Sequence, residues 1–226
     1  MAENKQKIIK SKKRVADHGE VFTPEFIVQD MLKLVEQETL RIDSRFLEPA
    51  CGDGNFLDAI LSKKLEVCES RNKNDLEGYE RDSFLAMTSI YGIDLLEDNV
   101  AECRNRLYET WFSRYKKKSR GEWDENVVEA VKHVLRLNIT CGDALTLEQA
   151  DETPIVFPEW AFISEKILKR RDFEFVEMLR ANDNRKTKRN QDQLMLFDTY
   201  NEEANSYIPD PVKEYKPVDF RKVQMQ

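Results

Sequence analysis

Apolar residues recur along this chain in two rhythms, one helical and one of short unbroken runs. From Thr23 the stretch TPEFIVQDMLKLVEQE sets Phe26, Ile27, Met31, Leu32, Leu34 and Val35 at helical spacing, with Thr23 as N-cap and Pro24 at the first helical position. A short strand is expected at 45–47, then a glycine turn, then a helix over about 55–68. Residues 69–76 are polar and read as loop; 82–89 reads as a helix end or loop feeding SIYGIDL, which has the length and composition of a buried strand. Residues 98–115 carry Val100, Cys103, Leu107, Trp111 and Phe112 at roughly helical intervals. Residues 123–135 form a further amphipathic helix and 137–141 another short apolar strand.

Strands thus alternate with helices over 41–147, which favours βαβ units and an α/β fold with a mostly parallel, doubly wound sheet. Beyond Asp151 the pattern changes. PIVFPEWAFI is apolar and proline-bearing, KRRDFEFVEMLR suits a strand or short helix, ANDNRKTKRNQDQ is a polar linker, and SYIPDPVKEYKPVDF reads as an extended tail. The expected layout is a basic arm at 1–17, a main domain at 18–160 and a partly irregular C-terminal extension at 161–226.

Composition narrows the classes. At 226 residues with 40% hydrophobic and 35% charged content, the chain has enough apolar material for a core under a highly charged surface. No apolar run approaches the roughly 20 residues that span a bilayer, and the N-terminus lacks the apolar segment of a secretory signal, so no membrane is expected. Cys51, Cys68, Cys103 and Cys141 form no CxxC pair, and with only His18 and His133 beside them no metal is expected; buried free thiols point to the reducing cytoplasm. Net charge is −7, yet the basic residues cluster: Lys5, Lys7, Lys10, Lys12, Lys13 and Arg14; Arg114, Lys116, Lys117, Lys118 and Arg120; Lys169, Arg170 and Arg171; Arg185, Lys186, Lys188 and Arg189. Of these, Lys12, Lys13, Lys116, Lys117, Lys118, Arg170 and Arg171 are the candidate phosphate contacts; solvated helix ends and tails are the alternative.

The candidate chemistry begins at FLEPACGDGNFL, residues 46–57. Glycines beyond a strand's carboxyl end let a ligand approach the backbone, and the helix that follows offers free N–H groups to an anion. SIYGIDL ends in Asp94, placed to accept from ribose hydroxyls, or else simply to cap the next helix. CGDAL sets Asp143 at a third strand tip, for an adenine amine or for a turn. Three acidic strand tips in register, Glu48, Asp94 and Asp143, suit an adenosine cofactor bearing a cationic amino acid and would repel a phosphate, which favours S-adenosylmethionine over a dinucleotide.

EPACGDGNFL resembles the cofactor motif of amino-group DNA methyltransferases, (Asp/Glu)-Pro-Ala-Cys-Gly-Ser/Asp-Gly-x-Phe-Leu. HGEVFTP at 18–24 is similar to the Gly-Glu-x-x-Thr-Pro motif of the adenine-modifying branch of restriction–modification enzymes, and YGIDLLEDNV and CGDAL resemble the next two motifs in order. The resemblance spans 18–147 and implies a Rossmann-like, S-adenosylmethionine-dependent methyltransferase fold acting on DNA. It also implies that Thr23 and Pro24 close over the methionine end of the cofactor. Glu48, Pro49, Ala50, Gly52 and Gly54 line the methionine pocket, Asp94 and Leu95 hold the ribose and adenine face, and Asp143 and Ala144 the adenine edge.

The family's catalytic (Asn/Asp/Ser)-Pro-Pro-(Tyr/Phe/Trp) element orients the target amine through a polar side chain and a prolyl carbonyl, with the aromatic ring on a flipped base. This sequence holds no Pro-Pro. VFPEW supplies Pro158 and Trp160 but no polar acceptor, so core packing or a partner contact is the expected role of its aromatics and no catalytic residue is assigned. Two expectations follow: a DNA adenine methyltransferase, the modification component of a restriction–modification system, that draws on a second protein subunit; or a catalytically inactive relative serving as a DNA-binding or regulatory partner.

Overall fold

The computed structural model describes residues 10–18, 21, 23–179 and 209–226. Lys5, Lys7, Gly19, Glu20, Phe22, the cluster at Arg185, Lys186, Lys188 and Arg189, the linker and the start of the tail lie outside the described residues. In chain order the elements are α1 (Lys12–His18), α2 (Glu25–Leu34), α3 (Glu36–Thr39), β1 (Phe46–Glu48), α4 (Asn55–Arg71), α5 (Leu76–Thr88), β2 (Ile90–Asp94), α6 (Glu97–Lys118), α7 (Glu125–Asn138), β3 (Ile139–Cys141), β4 (Val156–Phe162), β5 (Ile167–Glu174), β6 (Lys213–Glu214) and β7 (Val218–Asp219), closed by a 3-10 helix at Phe220–Met225.

The protein is α/β, with a three-stranded parallel sheet ordered β1-β2-β3. The parallel sheet ends there. Only residues 163–166 separate β4 from β5, too few for the crossover a parallel pair needs, so the two form an antiparallel hairpin. β6 and β7, from the tail, add antiparallel to β5 and complete a second, four-stranded sheet. The parallel sheet expected over 41–147 is present but small, a separate antiparallel sheet lies beyond it, and the boundary drawn between 160 and 161 falls inside β4. The tail docks on its own chain: Phe220 and Val223 are buried, and Arg221 binds Glu80 of α5 at 2.8 Å.

Central strand β2 joins these layers. Its Gly92 faces α4, where a Cβ would stand 3.0 Å from Leu57 Cδ1 and from Cys51 Sγ; glycine lets α4 settle onto the sheet. Tyr91, one residue earlier and therefore on the opposite face, packs edge-on against Phe157 of β4 at 5.4 Å and donates its hydroxyl to the Pro158 carbonyl at 2.9 Å. Trp160 of the same strand donates to Asn138 Oδ1 at 2.9 Å, and Asn138 Nδ2 donates to the Ile90 carbonyl at 3.0 Å. VFPEW is therefore part of the core.

α5 begins at Leu76, capped by Asp75 accepting from Gly78 N, although residues 69–76 read as loop and 82–89 only as a helix end. Burial on nearly every side explains the difference: Tyr79, Phe84, Ala86 and Met87 are buried, and so are Glu80, Asp82 and Ser83. A helix enclosed all round shows no polar stripe in its sequence.

Candidate functional site

The parallel strands end on one side of the sheet, and their carboxyl ends carry the predicted residues. Glu48 lies level with Gly92, and Asp94 level with Cys141. The acidic tips therefore form a staircase rather than a row: Asp94 stands two residues beyond Glu48, roughly 7 Å along the strands and about 5 Å across. Asp143 follows two residues past the end of β3.

Gly52 and Gly54 both take left-handed backbone conformations, at φ 53° and 84°. A Cβ on Gly54 would meet Cys103 Sγ at 2.6 Å and the Cys103 Cα at 3.1 Å, so this turn lies directly on α6. Asp94 ties the turn to β2. Its Oδ2 accepts from Gly52 N at 2.9 Å, while Oδ1 accepts from Leu96 N at 2.9 Å and Asn99 Nδ2 at 3.1 Å. Asp94 thus shapes the turn into α6 without capping it, since Leu96 is the N-cap; Oδ2 takes only one of these bonds and a carboxylate has about four acceptor positions. Leu95 beside it is exposed.

Glu48 is half-buried, and burial pushes its carboxyl above the usual carboxylate range, opposed by a hydrogen bond from the Ala50 backbone. Asp143 Oδ1 accepts from Leu145 N at 2.8 Å, the turn-forming role; Ala144 is partly buried against the core. Gly142 N donates to the Asp94 carbonyl at 3.0 Å, which holds the third tip beside the second.

Thr23 reaches the same place from far upstream: its carbonyl accepts from Asn55 Nδ2 at 2.9 Å, at the start of α4. The helix begins one residue later than expected, with Pro24 at the N-cap in place of Thr23 and Glu25 first in the helix. Pro49 and Ala50 lie in the turn that follows β1. The structure accordingly gathers Thr23, Glu48, Gly52, Gly54 and Asp94 around one turn, with Asp143 on the adjoining tip.

Several contributors had no sequence signal. Arg106 of α6 donates from Nε to the Asp53 carbonyl at 2.9 Å and from Nη2 to the Asp53 carboxylate, whose Oδ1 is buried without a partner among the described residues. Asn99, Cys103 and Arg106 thus grip Asp94, Gly54 and Asp53 from a single helix. The Cys51 thiol, in contact with that of Cys103 and buried, is held well above its ordinary pKa, which makes it an inert packing group. Among the described residues no group of His, Cys, Asp and Glu could hold a metal ion, and no helix is long and apolar enough to cross a membrane.

The basic residues divide. Lys12 and Lys13 are exposed on α1, as are Lys116 and Lys117 at the end of α6. Lys118 turns inward, donating to the Lys73 carbonyl at 2.7 Å and to that of Asn72. Arg170 and Arg171 are not displayed for phosphate. Arg170 is 6% exposed and forked onto Asp172, with both bonds at 2.7 Å, and Arg171 is bound by Glu159. Arg170 thus pairs along its own strand and Arg171 across to its β4 neighbour Glu159, which makes both charges internal ion pairs. The arm is docked as well: Arg14 Nη1 binds Asp98 at 2.6 Å and Lys10 binds Glu102 at 2.8 Å, both on α6.

What fold and site define is an α/β protein with a three-stranded parallel sheet, a left-handed glycine turn beyond its first strand and a bonded carboxylate at the tip of its second. No protein-family model, curated protein or solved structure matches this chain.

Proposed function

We propose that this chain is a Rossmann-like, S-adenosylmethionine-binding protein of the DNA adenine methyltransferase lineage, the modification component of a restriction–modification system, and that it needs a second protein subunit for catalysis. The observation that carries the reading is the Gly52–Asp94 hydrogen bond within a turn of two left-handed glycines. It joins the two motifs that the methyltransferase resemblance assigns to the methionine and ribose ends of one ligand.

The residues present fit such a ligand. The glycines leave out the side chains that would fill the turn, Glu48 offers a carboxylate to a cationic amine, Asp94 Oδ2 keeps acceptor capacity, and exposed Leu95 offers an apolar surface to a base. S-adenosylmethionine, when bound, supplies an activated methyl group; the protein binds and orients it. Orienting an amine toward that methyl calls for an acceptor beside the site. VFPEW does not offer one, because Pro158 already accepts from Tyr91 and Glu159 is held by Arg45 at 3.6 Å and by Arg171. The same observation favours a second reading, a catalytically inactive relative that binds DNA or regulates a partner.

Calorimetric titration with S-adenosylmethionine tests the binding. The expected result is saturable binding by the wild type, weakened at least about ten-fold by Glu48→Gln and by Asp94→Asn, which corresponds to about 1.4 kcal/mol, with melting curves showing that both variants fold. No binding by the folded wild type overturns the proposal. Tritiated methyl transfer to unmethylated DNA is then expected to be negligible for the chain alone, and robust transfer would refute the need for a second subunit. A steep fall of DNA affinity with salt supports DNA as the partner, and a flat one argues against it.

A further inference from the structure

A functional reading centred on the strand tips leaves unexplained a cluster of exposed apolar side chains among the described residues. α2 buries only Val28 and Leu32. Its outward side carries Ile27, Met31 and Leu34, at i, i+4 and i+7, with Phe26 on the flank. Leu34 is 86% exposed, Phe26 69%, Met31 44% and Ile27 38%. Residues at that spacing share one face of a helix, so α2 is apolar on two sides, and these side chains are exposed.

We propose that this face is a homodimer interface, with α2 of a second copy of the chain lying antiparallel across Ile27, Met31 and Leu34. Charge selects this occupant. The stripe is bordered by Asp30 and Lys33, one turn apart, both highly exposed and bridged within the helix at 2.7 Å. An antiparallel pairing that sets Ile27 against Leu34 of the second copy also brings Asp30 alongside Lys33 of that copy, twice over by symmetry. A parallel two-fold pairing would carry the charged flanks of the two copies to opposite sides of the interface, where they could not meet. A two-fold interface uses one patch against itself, and an antiparallel arrangement also opposes the helix dipoles favourably.

The area is adequate for a modest association. The exposed parts of these side chains amount to roughly 450 Å² per copy, so a pair removes at most about 900 Å² of apolar surface, and its polar rim brings the total toward the ~1,000 Å² a specific interface needs. It also lies within the size at which a surface patch on a single molecule is often functional. None of the pairing residues belongs to the strand-tip site, so this inference stands or falls separately from the cofactor reading.

Sedimentation equilibrium on the full chain, from about 1 to 100 µM, is the test, a range that brackets micromolar association. The wild type is expected to reach twice its 26.6 kDa monomer mass. Met31→Glu with Leu34→Glu should hold it at the monomer mass throughout, with an unchanged melting curve because both positions are exposed. Asp30→Lys alone should weaken the dimer at least three-fold, and Asp30→Lys combined with Lys33→Asp should restore it. A wild type that stays monomeric at 100 µM overturns the proposal, as does a dimer indifferent to the paired glutamate substitutions.

Discussion

Replacing Gly54 by alanine tests how closely the glycine turn is fitted to α6. Two costs arise. The position sits at φ 84°, where a Cβ crowds the backbone by about 1–2 kcal/mol. The added carbon would also stand 2.6 Å from Cys103 Sγ and 3.1 Å from the Cys103 Cα, and relief of such a contact in a packed region costs about 1–3 kcal/mol. Gly121 supplies the control: it has φ 87°, but a Cβ there meets nothing within 4 Å, so Gly121→Ala incurs the first cost alone. Urea melts followed by circular dichroism should show Gly54→Ala less stable than wild type by about 2–5 kcal/mol and Gly121→Ala by about 1–2 kcal/mol. At roughly 2–4 °C per kcal/mol for a chain of this size, the thermal midpoints should fall by about 4–20 °C and about 2–8 °C. Adding Cys103→Ala to Gly54→Ala removes the sulfur and should recover about 1 kcal/mol as a coupling energy. Equal losses at the two glycines, with no coupling to Cys103, would refute the claim that the turn is held by α6.

Two further outcomes follow from the core. Burial, with Arg170 and Arg136 nearby, depresses the His133 ring to about 4, against the weaker pull of Asp172. The unfolded chain then binds the extra proton between about pH 6.5 and 4, so this group's contribution is complete above 6.5 and is lost as pH falls toward 4. With only two histidines, proton NMR can follow the ring directly, and the resonance abolished by His133→Asn should titrate near 4; a midpoint near 6.5 would contradict the packing described. Tyr91→Phe strips the donor from the buried Pro158 carbonyl and should cost about 1–3 kcal/mol in urea denaturation. A loss below about 0.5 kcal/mol would mean that β4 does not lean on β2 through that bond.

Where a single local cause acts, the sequence was readable. Strands β1, β2 and β3 and helices α4, α6 and α7 fall within three residues of expectation at nearly every boundary, because each has one apolar face or one short apolar run. α6 ran on through its lysines to Lys118, since nothing in YKKK breaks a helix. α5 was legible only at its end because its polar groups are internal: Tyr115 donates to Glu80 at 2.5 Å and Trp111 to Ser83 at 3.1 Å, so residues that read as surface are core. Arg170 and Arg171 were misleading for the same reason: Arg170 pairs with Asp172 two residues along its own buried strand, and the Glu159 partner of Arg171 emerges only when β5 pairs with β4. Of the site, the glycines and strand-tip acids were visible as a linear motif. Their spacing was not, because parallel register decides that Glu48 faces Gly92 instead of Asp94.

The turn's dependence on α6 has a consequence for how binding and chemistry divide in this protein. Asn99, Cys103 and Arg106 recur at intervals of four and three along one helix stripe, and each holds a different part of the strand-tip region: Asp94, Gly54 and Asp53. A loop restrained at three points by a 22-residue helix is shaped before any ligand arrives, so ligand binding need not supply the ordering cost of the loop. Preorganisation of that kind serves recognition of a bound group. It does not extend to the other half of a transfer reaction, since Pro158, Glu159 and Trp160 are each committed to partners within the fold. Freeing any of them to meet a substrate would expose part of the seam that joins the two sheets. On the proposed reading, that loop would hold its ligand rigidly while the nearest counterpart of a catalytic element is spent on stability, which is why the reading divides the activity between this chain and another.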